Sequence, residues 1–296
     1  MNYGVVLPIW QLTIAEAASL ATRAEELGLD GVFVPDHILA KPATTQHYGG
    51  HWPDPFAFLA YLAGRTRRIH LGASVIVLPY RNALVAAKAA ATVDQVSGGR
   101  FIFGVGVGWD EAEFADLRLP FRERGRLSDD YIRAIKAAWA SDVPEYRGQY
   151  VSFGGATFSP RPTQRPHPPI WVGGSPGGVS GAAMRRCAVL GDAWHPLALG
   201  LDDVEKGYAT LRDLAAKSDR RDTPGLAPRN LLDLTDAPKG SGRAAFQGSV
   251  AEVASDVRRV RALGAEWMTF DLPRTGVPAM MGAMERLARE VKPAAA

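Results

Sequence analysis

What most constrains this chain is a repeat of pattern rather than of sequence: a short apolar run, an amphipathic stretch, then another apolar run, from the first residues nearly to the last. GVVLP is followed by Thr13 and IAEAASLATRAEELG, in which Thr13 and Glu16 form a capping-box signature, Leu20, Ala24 and Leu27 share one helical face, and Gly28 closes the end. DGVFVPD, IHLGASVIVLP, RFIFGVGVGW, PIWVGG, DAWHPL and EWMTFDL read as further strands, and a weakly patterned stretch around APRNLLDLTDA supplies the one before the last. Helical patterns fall between them, among them FAFLAYLAGRT, the alanine-rich NALVAAKAAATVDQVSGG, ERGRLSDDYIRAIKAAWA and VAEVASDVRRVRALG, the last opened by a second capping box of Ser249 and Glu252. Eight strands alternating with helices predict an α/β fold, a (β/α)8 TIM barrel in a single domain over 1–296. A doubly wound open sheet fits the alternation almost as well. Segments near 38–53, 142–168 and 218–248 read as insertions, the middle one carrying a hairpin around Tyr150 to Phe158.

Composition narrows the function. Hydrophobic residues make up 47% of the 296 and charged residues 22%, enough for a sizeable core. The net charge of +3, from 34 basic against 31 acidic residues, is too small and scattered to indicate nucleic acid, and Arg65, Arg67 and Arg68 read as a solvated strand entrance. Cys187 is the single cysteine, so there is no internal disulfide and no thiolate cluster for zinc; no metal is expected, and a reducing cytoplasm fits. MNYGVVLPIW has no basic region and reads as a first strand rather than a signal peptide, and no segment approaches the ~18 apolar residues that span a bilayer.

The second strand, VFVPDH, runs apolar for four positions and then ends on Asp36 and His37. In a barrel the carboxyl ends of the strands face the ligand, so these two are candidates for chemistry; the alternative is that Asp36 caps the turn and His37 packs in it. Glycines open the ends of two later strands, Gly106 and Gly108 in GVGVGW and the pair in WVGGS. Backbone N–H groups at such turns, followed by a helix N-terminus, suit a phosphate. The same glycines serve equally as tight βα turns.

The succession VPDH, IHLGASVIVLPYRN, DQVSGGRFIFGVGVGW, PIWVGGS and GDAWHP resembles the bacterial luciferase-like superfamily of flavin- and deazaflavin-dependent oxidoreductases, over nearly the whole chain and most specifically from Gly72 to Trp109. The resemblance implies the barrel rather than the open sheet. VPDH looks like the branch that uses coenzyme F420, with Asp36 near the polar edge of the cofactor ring and His37 on the substrate side as general acid/base, a role suited to a side chain whose ordinary pKa is about 6.5. By the same likeness Ser74 and Val75 lie where relatives place a non-proline cis peptide behind the ring, Val107, Gly108 and Trp109 match a turn that contacts cofactor, and Gly173, Gly174 and Ser175 match a phosphate-binding turn. Trp109 stands where some deazaflavin dehydrogenases have a catalytic Glu, a departure from sugar-phosphate oxidation. Trp194 and His195 line the same end of the barrel or, for the tryptophan, pack under the sheet.

The expected activity is hydride transfer between F420 and a small organic substrate. FMN-dependent monooxygenation and a non-catalytic flavin-binding barrel are the alternatives. Relatives are commonly dimers, and the helix at 83–96 offers a flat face for a homodimer or packs wholly within the chain. The strand-end position of Asp36 implies that its replacement leaves stability unchanged.

Overall fold

The structure, a computed structural model, describes residues 1–174, 178–218, 220 and 222–296, without the side chains of residues 43 and 47. In chain order its strands are β1 (Asn2–Val6), β2 (Gly31–Val34), β3 (His70–Ala73), β4 (Ile76–Val77), β5 (Phe101–Gly106), β6 (Tyr146–Arg147), β7 (Ser152–Phe153), β8 (Ile170–Gly173), β9 (Ala193–His195), β10 (Gly225–Leu226), β11 (Arg229–Leu231), β12 (Asp233–Leu234), β13 (Gln247–Gly248) and β14 (Trp267–Asp271). Ten of these form one parallel sheet in the order β10-β9-β8-β5-β3-β2-β1-β14-β11, with β4 on β5. β3 and β4 are two halves of one strand interrupted at Ser74-Val75, and β10 and β11 are two halves interrupted at Ala227-Pro228, which reduces ten runs to eight barrel strands. The two halves around Pro228 also close the barrel: Ala227 N–H bonds Trp194 O on one side and Thr269 N–H bonds Pro228 O on the other.

The main helices are α1 (Ile14–Glu26), α2 (Pro42–Tyr48), α3 (Pro55–Arg65), α4 (Ala83–Ser97), α5 (Glu111–Asp116), α6 (Arg124–Ala140), α7 (Gly181–Leu190), α8 (Leu201–Ala216), α9 (Val250–Ala262) and α10 (Val277–Arg286). Both capping boxes are present: Thr13 and Ser249 each accept from the third helical N–H and receive the glutamate in return. The alanine face of α4 is buried within the chain's own core, with Ala83, Ala86, Ala87, Ala90 and Ala91 all fully covered, so that face is spent on α3 and α6. Three local expectations shift. The hairpin lies at β6–β7, earlier than 150–158, because Asp130 of α6 takes the Tyr146 hydroxyl and the Tyr150 and Val151 N–H groups and draws the turn onto the helix. The segment 38–53 contains α2, and 218–248 contains strand seven itself, so the added chain there begins only after Leu231.

Glycine placement governs the barrel interior. A Cβ on Gly4, Gly31 or Gly72 would meet the Phe33 ring at 2.6, 2.9 and 2.4 Å, so the ring lies flat across its neighbours and stacks on Trp171, 5.2 Å between centroids. One layer higher, a Cβ on Gly106 would meet Val75 at 2.6 Å and one on Gly173 would meet it at 3.2 Å, while on Gly104 it would lie 1.9 Å from Ala73 O. The cis-linked Ser74-Val75 pair thus projects into the barrel through space left by three absent side chains. Asp36 fastens this projection from the β2 end. Its carboxylate is bidentate with Arg81, at 2.5 and 2.9 Å, and accepts the Val77 N–H at 2.9 Å; Arg81 also reaches Asp54. Burial alone would lower the Arg81 guanidinium, and the Asp36 and Asp54 carboxylates raise it instead, as befits an ion pair.

Two predictions follow from this packing. Gly104→Ala places a methyl against backbone that has no rotamer to yield, and should cost about 3 kcal/mol or prevent folding, while Gly64→Ala, with open space in α3, should be neutral or stabilising by up to about 1 kcal/mol; denaturant midpoints measure both. Contrary to the strand-end expectation, Asp36→Ala should destabilise by about 2 kcal/mol, since it leaves a largely buried Arg81 with only the half-exposed Asp54. An unchanged denaturation midpoint for Asp36→Ala would show the clamp to be dispensable.

Candidate functional site

The carboxyl ends of the strands open into a cavity of ≈ 490 Å³ whose wall includes Asp36, His37, Ser74, Val75, Val107, Gly108, Trp109, Gly173 and Gly174. The structure therefore brings together Asp36, His37, Ser74, Val75, Val107, Gly108, Trp109, Gly173 and Gly174 as the resemblance implied, while Ser175 lies outside the described residues and Trp194 and His195 are not on this wall. Gly108 has φ +80, and a Cβ there would strike Phe114 at 2.6 Å, so a close approach within the chain already requires this glycine. Gly104, Gly106 and Gly173 likewise make room for strand three.

Beneath the cavity a polar cluster caps the aromatic layer. His195 Nδ1 lies 2.6 Å from Ala227 O, a partner that can only accept, so Nδ1 carries the proton. Burial, opposed by that bond, pulls His195 down to about 4, and the ring is neutral at physiological pH. Its Nε2 then accepts from the Ser74 hydroxyl at 2.7 Å. Arg229 donates to Ser74 O at 2.6 Å and to Ser74 Oγ at 3.0 Å, and is itself held by Asp271 at 2.6 Å. Both nitrogens of His195 are committed, which suits a scaffold for the Ser74-Val75 floor. Trp194 points the other way, fully buried against Gly207 and Met184 in the helix layer.

At the mouth His37 is set up differently. Asp110 caps α5 by accepting the Ala112 and Glu113 N–H groups, and binds Thr44 of α2 at 3.0 Å. That start places Glu113 under the loop that follows β2, where its buried carboxylate receives four donors: Ile38 N–H at 2.6 Å, Leu39 N–H at 2.9 Å, the Tyr80 hydroxyl at 2.6 Å and His37 Nδ1 at 2.8 Å. Burial alone would raise the Glu113 carboxyl; the His37, Tyr80, Leu39 and Ile38 donors outweigh it, and the group titrates below its ordinary range. Burial, reinforced by the bond to Glu113, pushes the Tyr80 phenol far up, so it stays a donor. A carboxylate at Nδ1 fixes the tautomer with the proton there and leaves Nε2, which has no partner among the described residues, for a ligand. Neither Glu113 nor Tyr80 was singled out from the sequence. The spacing Asp110-x-x-Glu113 at a helix start is the one local sign that could have drawn attention to the glutamate.

The far end of the cavity is basic. Arg122, Arg124 and Arg186 line it beside Ser180, whose side chain caps α7, so a helix N-terminus opens onto the same space as Gly173 and Gly174. Beyond it a second depression of ≈ 420 Å³ shares Arg122, Gly125, Ala182 and Arg186 with the first and adds Arg126, Arg133 and Arg185 against the single carboxylate of Asp129. Among the described residues no group of three or more His, Cys, Asp or Glu side chains is placed to hold a metal ion. No described helix is long and apolar enough to cross a membrane.

Comparison with known proteins adds what geometry leaves open. The family model for luciferase-like monooxygenases matches residues 1–230. An F420-dependent glucose-6-phosphate dehydrogenase of Amycolatopsis mediterranei is 38% identical over 160 residues, 53% of this chain and 46% of that enzyme. An FMNH2-dependent dimethylsulfone monooxygenase of Pseudomonas putida is also 38% identical over 160 residues, 53% of this chain and 42% of that enzyme. The match thus spans less than half of either enzyme. The monooxygenase RslO1 of Streptomyces bottropensis shares the fold over 100% of both chains, with a TM-score of 0.85 at 23% identity. On the span of the family match, this chain belongs to the luciferase-like monooxygenase family, whose relatives here include both F420- and FMN-dependent oxidoreductases.

Proposed function

We propose that this protein transfers hydride between coenzyme F420 and a small organic substrate, with His37 as the acid/base. The observation that carries the choice of cofactor is the arginine-lined extension of the cavity. FMN ends at its phosphate, whereas F420 continues into a chain of glutamates, and the depression bearing Arg122, Arg126, Arg133, Arg185 and Arg186 offers that chain a continuous run of cations. FMN-dependent monooxygenation is the second reading, favoured by the likeness to the dimethylsulfone enzyme.

The residues present fit either ring. Val75, Val105, Val107 and Val172 form an apolar floor, with Gly106, Gly108 and Trp109 at its edge, and Ser74 would donate or accept only through what His195 and Arg229 leave free. Gly173, Gly174 and the start of α7, with Arg122, Arg124 and Arg186, would hold the phosphate; Ser175 belongs to the same proposal. Asp36 would reach the ring's polar edge only through lone pairs not taken by Arg81 and Val77. When bound, a deazaflavin supplies a hydride donor or acceptor carbon, and a reduced flavin can in addition activate oxygen. The chain's own contribution is at the proton. His37 Nε2 takes the proton of a substrate hydroxyl or returns it to a carbonyl oxygen, while Glu113 holds Nδ1–H and stabilises the charge that the ring acquires.

F420 should therefore bind more tightly than FMN, and its affinity should fall about tenfold or more between low and moderate salt as the arginines are screened, which titration calorimetry measures. Tight FMN binding without detectable F420 binding would reverse the assignment. His37→Ala should lower turnover by about 10²–10⁴-fold with cofactor affinity little changed. Glu113→Gln should lower turnover less, on the order of tenfold, with cofactor affinity unchanged, because a neutral amide no longer offers a full charge opposite the one the His37 ring acquires in the proton transfer. Wild-type turnover in a folded Glu113→Gln protein would detach Glu113 from the proton transfer.

A further inference from the structure

The end of the cavity around His37 is walled by rings. Trp10 and Trp52 lie 5.3 Å apart and tilted by 31°, Tyr48 stands edge-on to Trp10 at 5.2 Å, and His37 is edge-on to Trp52 at 4.7 Å and to Trp109 at 5.7 Å. All five line the same space. They come from three different connections, after β1, after β2 with α2, and after β5, so the enclosure is a property of the assembled barrel mouth and not of one motif. Any molecule that brings an oxygen to His37 Nε2 must place the rest of itself among these faces and edges.

The chemistry of the wall excludes three classes. A cation would favour aromatic faces, but the Arg274 guanidinium already lies over Tyr48 at 4.9 Å and over Trp10 at 5.3 Å, and its charge opposes a second one. A sugar needs a partner for each hydroxyl it withdraws from water, whereas the Trp52 indole N–H is committed to Gly49 O at 3.2 Å. A small aliphatic alcohol would leave most of the ring surface uncovered. A planar conjugated molecule meets the wall on its own terms, because offset and edge-to-face ring contacts add binding beyond the area they bury.

Resting on the reading of His37 as the acid/base, we propose that the substrate is a neutral planar conjugated oxygen compound, an aryl ketone or aldehyde or the corresponding benzylic alcohol, seated against Trp52 and Trp109 with its oxygen at His37 Nε2. The test is equilibrium binding to the full-length protein by ligand-observed NMR, with acetophenone and cyclohexyl methyl ketone as a pair that differs in the planarity of the ring. Each is titrated in the absence of cofactor and at saturating oxidised F420, with which neither ketone can react. Acetophenone should bind about tenfold or more tightly than its saturated partner in both conditions, and Trp52→Ala and Trp109→Ala should each reduce that ratio to about threefold or less, while Trp52→Phe keeps it. Trp109 is 54% exposed, so its replacement tests the proposal even where Trp52→Ala disturbs the loop. Equal affinity for the two ketones, a ratio indifferent to both tryptophans, or acetophenone binding that F420 abolishes would overturn the proposal. Failure of F420 to bind alongside a preserved ratio would instead remove the cofactor assignment and leave the ring chamber standing.

Discussion

The site depends on side chains that are missing. With no Cβ at Gly104 and Gly106 of one neighbour and Gly173 of the next, strand three can bulge inward at Ser74-Val75 by one extra residue, its pairing with β5 passing from Gly72 opposite Ile102 to Ile76 opposite Val105. Val75 becomes the floor of the cavity by this displacement, and Ser74 is carried to His195 and Arg229, which would otherwise face each other across an unfilled interior. Asp36 and Arg81 then hold the projection from above. The glycine-rich run that looked like a ligand turn is first a packing device, and its service to a ligand is indirect: it shapes the surface on which a ring would lie.

Two histidines at one end of a barrel invite the question of which one moves a proton, and their partners answer it. His195 is enclosed, gives its Nδ1 proton to a carbonyl oxygen and spends Nε2 on a serine, so burial lowers it to about 4 and leaves it no atom for chemistry. His37 has a carboxylate at Nδ1 and nothing among the described residues at Nε2. The difference lies in the acceptor: a carbonyl offers a dipole, whereas Glu113 offers a full charge whose own ionisation is secured by four donors.

What was legible in the sequence was local or periodic. Thr13 with Glu16 and Ser249 with Glu252 announce two helices within four residues, and the strand that ends on Asp36 and His37 shows its position by where the apolar run stops. Strand seven was faint because Pro228 divides it and only Arg229, Asn230 and Leu231 pair with β14. Glu113 was invisible for another reason. It acts on a residue 76 positions away, and its own neighbourhood reads as an ordinary acidic first turn. The hairpin was misplaced because its register is decided by Asp130, on a helix twenty residues upstream, and not by the turn residues themselves.

The cavity is asymmetric, and the asymmetry orders its occupants. One end presents a helix N-terminus, three arginines and a basic groove; the other presents four aromatic side chains and one histidine. A ligand with an anionic tail and a planar head can lie along it in only one sense, tail toward α7 and head over Val75, because reversing it would put the anion among rings and the ring among guanidinium groups. That orientation leaves the space beside His37 to a second, uncharged molecule. The same division explains why Glu113 can be fully buried so close to a ligand site: its charge is neutralised by donors from β2's loop, Tyr80 and His37 on the aromatic side, and is kept apart from the arginines that serve the other end.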